Sequence, residues 1–78
     1  SDVIATRAGG WTDQLAEVVR ELLSRGTPKT MDELNRVFET TVYKTALEFT
    51  HGKKIEAAQK LGVGRNTLTR KLQELGLH

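Results

Sequence analysis

Apolar residues recur at helical spacing in several segments of the chain, and glycine-containing breaks separate these segments. In the first segment they follow at i, i+3, i+4, i+7 and i+8, on one side of a helix. These positions are Leu15, Val18, Val19, Leu22 and Leu23. Thr12 is a suitable N-cap, and Gly26 followed by Pro28 suits a helix end. The pattern predicts a first helix over residues 12–25.

The second segment carries the longest apolar stripe. Thr30 and Glu33 have the spacing of a capping box. The stripe consists of Leu34, Val37, Phe38, Val42 and Phe49, and is widened by Tyr43, Ala46, Leu47 and Thr50. The stretch "ETTVYKT" is β-branched and locally favours a strand, but the helical spacing runs through it without a break. We therefore predict a helix over residues 30–51, which must pack on more than one partner because its apolar groups lie on more than one side.

Two short amphipathic segments follow. The first, over residues 53–61, turns Ala57, Ala58 and Leu61 inward, and the second, over residues 65–75, turns Leu68, Leu72 and Leu75 inward. Gly62 in the connecting "LGVG" supplies the positive φ of a tight turn, and Ala58 is small enough to let two helices approach. Two helices joined by such a turn form a helix-turn-helix. The predicted fold is all-α, with four helices in one domain over residues 11–78.

Residues 1–10 show no period and end in a glycine pair, which predicts a flexible linker remnant. The chain has 78 residues and no cysteine, so we expect neither a disulfide nor a thiolate metal site. No apolar run approaches the roughly 20 residues that span a bilayer, and no signal peptide is visible. These features favour a cytoplasmic protein without a membrane partner.

Charge is distributed unevenly along the chain. Residues 1–51 hold six basic and eight acidic side chains, whereas residues 52–78 hold six basic and two acidic ones. A net charge of +4 in the last 27 residues suggests a polyanionic partner for that end. The alternative is a charged face that is merely solvated.

The outer face of the last predicted helix is rich in hydrogen-bond donors. Turning its leucines inward leaves Asn66, Thr69, Arg70 and Gln73 outward, with Arg65 at the N-terminus. Such side chains read base edges when the second helix of this motif enters the major groove. Lys53, Lys54 and Lys71, with the N-terminal amides, are candidates for holding phosphate. The alternative from another class is a helical protein-interaction module with a solvated face.

Nothing in the sequence indicates catalysis or a cofactor. His51 and His78 have neither cysteines nor an acidic cluster near them in sequence, so no metal site is predicted. No nucleophile–base–orienter set and no GxxxxGK[ST] phosphate loop is present. We expect a protein that is not an enzyme.

The stretch "GKKIEAAQKLGVGRNTLTRKLQELG" resembles the Fis-type helix-turn-helix at the end of NtrC-class bacterial enhancer-binding proteins. The resemblance extends back through "TALEFTHG" and weakens in the first helix. It implies DNA contacts by Arg65 and Thr67, and further base and phosphate contacts by Thr69, Arg70 and Lys71. Gly64 and Thr69 depart from Fis, which has a polar N-cap and a basic residue there. Both departures favour the NtrC-like interpretation.

The resemblance also implies a homodimer in which the first two helices pair between subunits on an approximately palindromic enhancer site. The predicted interface residues are Leu15, Val18, Val19, Leu22, Leu34, Phe38, Val42 and Thr45. Relatives are sigma-54-dependent activators, often two-component response regulators, and nitrogen regulation is the implied process. Contact with sigma-54 polymerase would be made by domains outside this sequence. A free-standing Fis-like nucleoid protein that bends DNA is the other interpretation, although residues 1–10 lack the strand-turn-strand arm of Fis.

Overall fold

The computed structural model describes residues 2–77, with side chains at all of them except 2 and 5–9. Within that range the chain forms four helices and no strand: α1 (Asp2–Ser24), α2 (Thr30–Phe49), α3 (Lys54–Leu61) and α4 (Arg65–Leu75). None of the described helices is long and apolar enough to cross a membrane. The prediction of an all-α chain is confirmed, including the helical conformation of the β-branched stretch in α2.

The first helix is longer than the sequence pattern indicates. It begins at Asp2 and runs through Gly10 and Thr12 to Ser24, so Thr12 is not an N-cap and residues 2–10 are not an irregular leader. Extending an existing helix adds one hydrogen bond for each residue fixed, whereas each glycine costs only about 1 kcal/mol relative to alanine. The glycine pair therefore weakens the helix without ending it.

The predicted capping box at the start of α2 is also wrong. Thr30 is the first residue of the helix, and its hydroxyl donates to the carbonyl oxygen of Thr27 at 2.9 Å. Lys29, just before it, has a positive φ of 53°. The hydrogen bond from the Thr30 side chain to the Thr27 carbonyl oxygen therefore closes the turn between α1 and α2.

The chain divides into two compact units, Ser1–Asp32 and Glu33–His78. The core of the second unit consists of the buried residues Tyr43, Ala57, Ala58, Leu68 and Leu72. The small side chains of Ala57 and Ala58 let α3 and α4 pack directly, with Cα atoms within 8 Å of each other. The Cα atoms of α2 stay farther than that from both helices, and side chains such as Tyr43 bridge the gap.

The turn between α3 and α4 has the backbone geometry that its glycine predicts. Gly62 is left-handed, with φ of 77°, and its amide donates to the carbonyl oxygen of Ala58 at 2.9 Å. The amide of Val63 donates to the same oxygen at 3.0 Å, which closes the end of α3. The predicted helix-turn-helix is therefore present.

Two glycines of this turn should respond oppositely to substitution. Gly62→Ala places a Cβ at positive φ and is expected to destabilise the domain by about 1–2 kcal/mol. Gly64 has φ of −69°, and a Cβ there would lie 3.7 Å from Thr67 Oγ1, an ordinary contact. Gly64→Ser supplies an N-cap and should stabilise by roughly 0.5–1 kcal/mol. Urea unfolding measures both, and coincident midpoints would contradict the assigned backbone roles.

Candidate nucleic-acid interface

Helix α4 turns its leucines into the core and its donors outward, as its spacing predicts. Leu68 and Leu72 are 0% and 1% exposed, and Leu75 is half-buried. The exposed residues of the opposite face are Arg65, Asn66, Thr69, Arg70 and Gln73. This face, which we call the donor face, presents side chains that can hydrogen-bond to the edges of bases.

Two threonines of α4 have different environments. Thr69 is exposed, and its hydroxyl donates to the carbonyl oxygen of Arg65 at 3.1 Å. With its proton engaged inside the helix, Thr69 offers a partner its methyl group and oxygen lone pairs rather than a donor. Thr67 is half-buried at the first turn, beside Gly64, and does not belong to the donor face.

The N-terminus of α4 has no side-chain cap. Gly64 occupies the N-cap position and provides no hydrogen-bond acceptor for the amides of the first turn. Such amides carry partial positive charge and suit an anionic ligand. The basic Arg65 lies at the same end, and no acidic residue is present in the first turn.

The start of α3 lies beside the start of α4. A groove of about 450 Å³ is lined by Gly52, Lys53, Lys54, Ile55, Arg65 and Thr69. It brings two of the three lysines predicted to hold phosphate, Lys53 and Lys54, next to two of the residues predicted to read bases, Arg65 and Thr69. Ile55, which is 54% exposed, contributes an apolar wall that sequence analysis did not identify as part of the site.

Thr50 holds the backbone that leads into this groove. It is 3% exposed, and its Oγ1 lies 3.1 Å from the carbonyl oxygen of Ala46 and 3.2 Å from that of Lys53. The next residues, His51 and Gly52, both have positive φ. The sequence pattern assigned Thr50 only to an apolar stripe, because a hydroxyl that bridges a helix end to a turn leaves no periodic signal.

Lys71, which was also predicted to contact DNA, is paired with carboxylates of α2 and α4. Its Nζ is 2.9 Å from Glu39 Oε2 on α2 and 3.8 Å from Glu74 Oε2. The hydrogen bond that Lys71 donates to Glu39 raises the pKa of Lys71 above its ordinary value, against a smaller lowering by burial. The side chain is only 26% exposed, whereas that of Arg70, paired loosely with Glu74 at 3.8 Å, is 65% exposed.

The residues predicted for the dimer interface present considerable apolar surface. Leu15, Val18 and Phe38 are 43%, 48% and 59% exposed. Val19, Leu22, Leu34 and Val42 are half-buried, and Thr45 is exposed. The second unit also has an apolar groove of about 500 Å³, lined by residues that include Val42, Thr45, Ala46, Phe49 and Leu61. Phe49 is 71% exposed and was not predicted to belong to the interface, because it lies one turn beyond the residues chosen from the stripe.

Comparison with known proteins gives the class to which this fold and site belong. Residues 36–75 match the family model described as "Bacterial regulatory protein, Fis family". The matched range contains the core of the second unit, the turn and the whole donor face, and it exceeds half of the chain. The chain belongs to the Fis family of bacterial regulatory proteins.

Individual relatives extend the similarity beyond the matched domain. The DNA-binding transcriptional regulator NtrC of Klebsiella pneumoniae is 47% identical over 77 residues, 97% of this chain and 15% of the relative. The protein of the same name from Escherichia coli K12 is 46% identical over 67 residues, 86% of this chain and 14% of the relative. The chain thus spans about one-seventh of the length of these relatives. No solved structure gives a significant match.

Proposed function

We propose that this chain binds duplex DNA sequence-specifically as a homodimer, and that it is the DNA-binding domain of a sigma-54-dependent transcription activator. The observation that carries the proposal is the donor face, which two buried leucines hold toward solvent next to a groove containing two lysines. Membership of the Fis family and similarity to regulators named NtrC support the same function. Nitrogen control is the proposed process. The resemblance to NtrC-class proteins implies it, and both relatives described above carry the name NtrC.

The donor face provides the chemistry for reading bases. Arginine donates two parallel hydrogen bonds to guanine O6 and N7, and Asn66 or Gln73 pairs with the N6–N7 edge of adenine. The methyl group of Thr69 suits the methyl group of thymine, since its hydroxyl proton is already bonded within the helix. The amides at the start of α4 and the lysines Lys53 and Lys54 would hold phosphates and set the register of the helix in the major groove.

The homodimer is supported by apolar surface that a single copy leaves in water. Leu15 and Val18 on α1, and Phe38 and Phe49 on α2, are each at least 43% exposed. A second copy related by a twofold axis presents the same apolar residues, and the two patches would bury each other. Two identical reading heads on one twofold axis require an approximately palindromic site.

A free-standing nucleoid protein is the second function in this family to consider. The relatives are much longer, and the match covers only 14–15% of their length. This similarity favours the interpretation that the chain is one domain of a larger activator. The domains that contact sigma-54 polymerase would then lie outside this sequence. The sequence of the complete gene distinguishes the two proposals, because an activator gene encodes an ATPase domain upstream.

The test of DNA binding is a salt titration on two duplexes, a palindromic site obtained by selection from random sequence and a scrambled version of it. The proposed function predicts tighter binding to the selected site and a linear fall of log K with log salt concentration on both. Each phosphate contact contributes about 0.9 to the slope. A flat salt dependence on both duplexes would instead indicate a protein-binding module.

Dimer formation can be tested separately from DNA binding. Val18→Glu places a charge in the predicted interface, whereas Arg20→Gln changes the opposite face of the same helix. At micromolar concentration, sedimentation equilibrium should give a dimer for the wild type and for Arg20→Gln, and a monomer for Val18→Glu. The emission of Trp11, which is 46% exposed on the same stripe, should shift to longer wavelength in the monomer. A well-folded wild-type monomer at that concentration contradicts the proposal.

A further inference from the structure

The ion pair between Lys71 and Glu39 joins two helices whose backbones do not touch. Within residues 33–77, all of which the structure describes, it is the one ion pair between α2 and the helix-turn-helix, and its N–O distance is 2.9 Å. Both side chains are shielded, at 26% and 28% exposed. Ion pairs on an open surface contribute little, but shielding strengthens a pair because less water screens it.

The pair lies next to the apolar contact between the same two helices. Tyr43, one turn after Glu39 on α2, is 8% exposed and belongs to the core cluster with Leu68 and Leu72 of α4. Apolar contacts fix how close α2 and α4 lie, but they are weakly directional. The buried leucines fix which side of α4 faces the core, and a hydrogen-bonded charge pair on one side of the cluster adds a directional contact that favours one rotation of α4 about its own axis.

We propose that Lys71 and Glu39 are positioning residues, which fix the orientation of the recognition helix on α2 instead of contacting DNA phosphate. The inference rests on the proposed DNA-binding function and changes the role that family resemblance implies for Lys71. Arg70, the preceding residue, is the contrasting case, because its side chain is 65% exposed on the donor face and its contact with Glu74, at 3.8 Å, is loose enough for a DNA phosphate to replace it. Because α2 also carries proposed dimer contacts, the pair links the orientation of each reading head to the dimer.

The first experiment compares the salt dependence of two neighbouring variants, Arg70→Met and Lys71→Met, each of which removes one positive charge from α4. Arg70→Met should lower the slope of log K against log salt by about 0.9, as expected for one lost phosphate contact. Lys71→Met should weaken binding to the selected palindromic site by roughly threefold to thirtyfold and leave the slope unchanged. A slope reduced by about one unit in Lys71→Met would overturn the proposal.

The second experiment exchanges the charges. Glu39→Gln should weaken specific binding about as much as Lys71→Met, although it removes a negative charge and would strengthen a purely electrostatic interaction with DNA. Glu74 lies 3.8 Å from Lys71 Nζ and would repel a carboxylate at position 71, so the exchange is made together with Glu74→Gln. In that background E39K/K71E restores the pair with reversed polarity and should recover affinity to within about threefold of Glu74→Gln alone. If position 71 contacts phosphate, the new carboxylate repels DNA, and the exchanged variant binds more weakly than Lys71→Met in the same background.

Two controls separate this inference from folding and from the proposed function. Circular dichroism confirms that each variant is helical, and Lys71→Arg, which keeps the charge on the pair, should bind like the wild type. If Lys71→Met fails to fold, the exchanged pair and Glu39→Gln still distinguish positioning from phosphate contact. Failure of the proposed function has a different signature, because the wild type itself would then show no salt-dependent binding to either duplex.

Discussion

Replacing Leu68 by alanine is expected to lower the free energy of unfolding by about 2–5 kcal/mol. Leu68 is 0% exposed at the centre of the core formed by α2, α3 and α4. Truncation removes buried methyl groups and leaves a cavity that small neighbours such as Ala57 and Ala58 cannot fill. A domain of this size holds only roughly 0.05–0.15 kcal/mol of stability per residue, so this loss is a large part of the total.

Urea unfolding followed by circular dichroism measures the effect. Leu68→Met nearly conserves volume and should cost less than about 1.5 kcal/mol. Ile55→Ala removes a similar side chain that is 54% exposed, and surface substitutions of this kind usually change stability by about 0.5 kcal/mol or less. If Leu68→Ala unfolded at the same urea concentration as Ile55→Ala, α4 would not be anchored by Leu68, and the described packing would be wrong.

Arg65→Ala is expected to cost about 1–3 kcal/mol on the selected site and to flatten the preference among bases. Arg65 is exposed at the start of α4 and lines the groove with Thr69, Lys53 and Lys54. Lost hydrogen bonds to a base edge affect only the sequence that contains that base. The loss on scrambled DNA should therefore be much smaller than the loss on the selected site.

Lys54→Ala is the matched comparison, because Lys54 lines the same groove but lies at the first residue of α3. It should weaken the selected and scrambled duplexes alike and reduce the salt slope by about one unit. Affinities measured across a salt series on both duplexes separate the two behaviours. Equal weakening of both duplexes by Arg65→Ala would make Arg65 a phosphate contact instead of a base reader.

Local sequence patterns predicted the structure correctly wherever a single apolar stripe or a single turn residue determines it. The bounds of α4, its inward leucines and the positive φ of Gly62 follow from spacing and from glycine's lack of a Cβ. The same spacing identified the exposed members of the donor face. The predicted start of α1 at Thr12 and the predicted capping box of α2 were wrong. Small energy differences decide whether a helix extends or is capped, and the sequence pattern does not resolve them.

Lys71 shows most clearly what the sequence leaves open. On a helical projection it lies close to the donors, and its residue type suits phosphate as well as a carboxylate. Only the packing of Tyr43 against Leu68 and Leu72 brings Glu39, more than thirty positions earlier, within 2.9 Å of its ammonium group. The groove that gathers Lys53 and Lys54 beside Arg65 likewise depends on how α3 packs on α4.

The sequence by itself determined that this chain is helical, that its last two helices form a helix-turn-helix, and which side of α4 meets solvent. These properties depend on interactions between residues a few positions apart, which a periodic pattern records directly. The tertiary structure alone decided which charged side chains are free and which are paired, and which distant residues share a groove. Those properties depend on distances between separate helices, and such distances are set by packing, which no local pattern specifies.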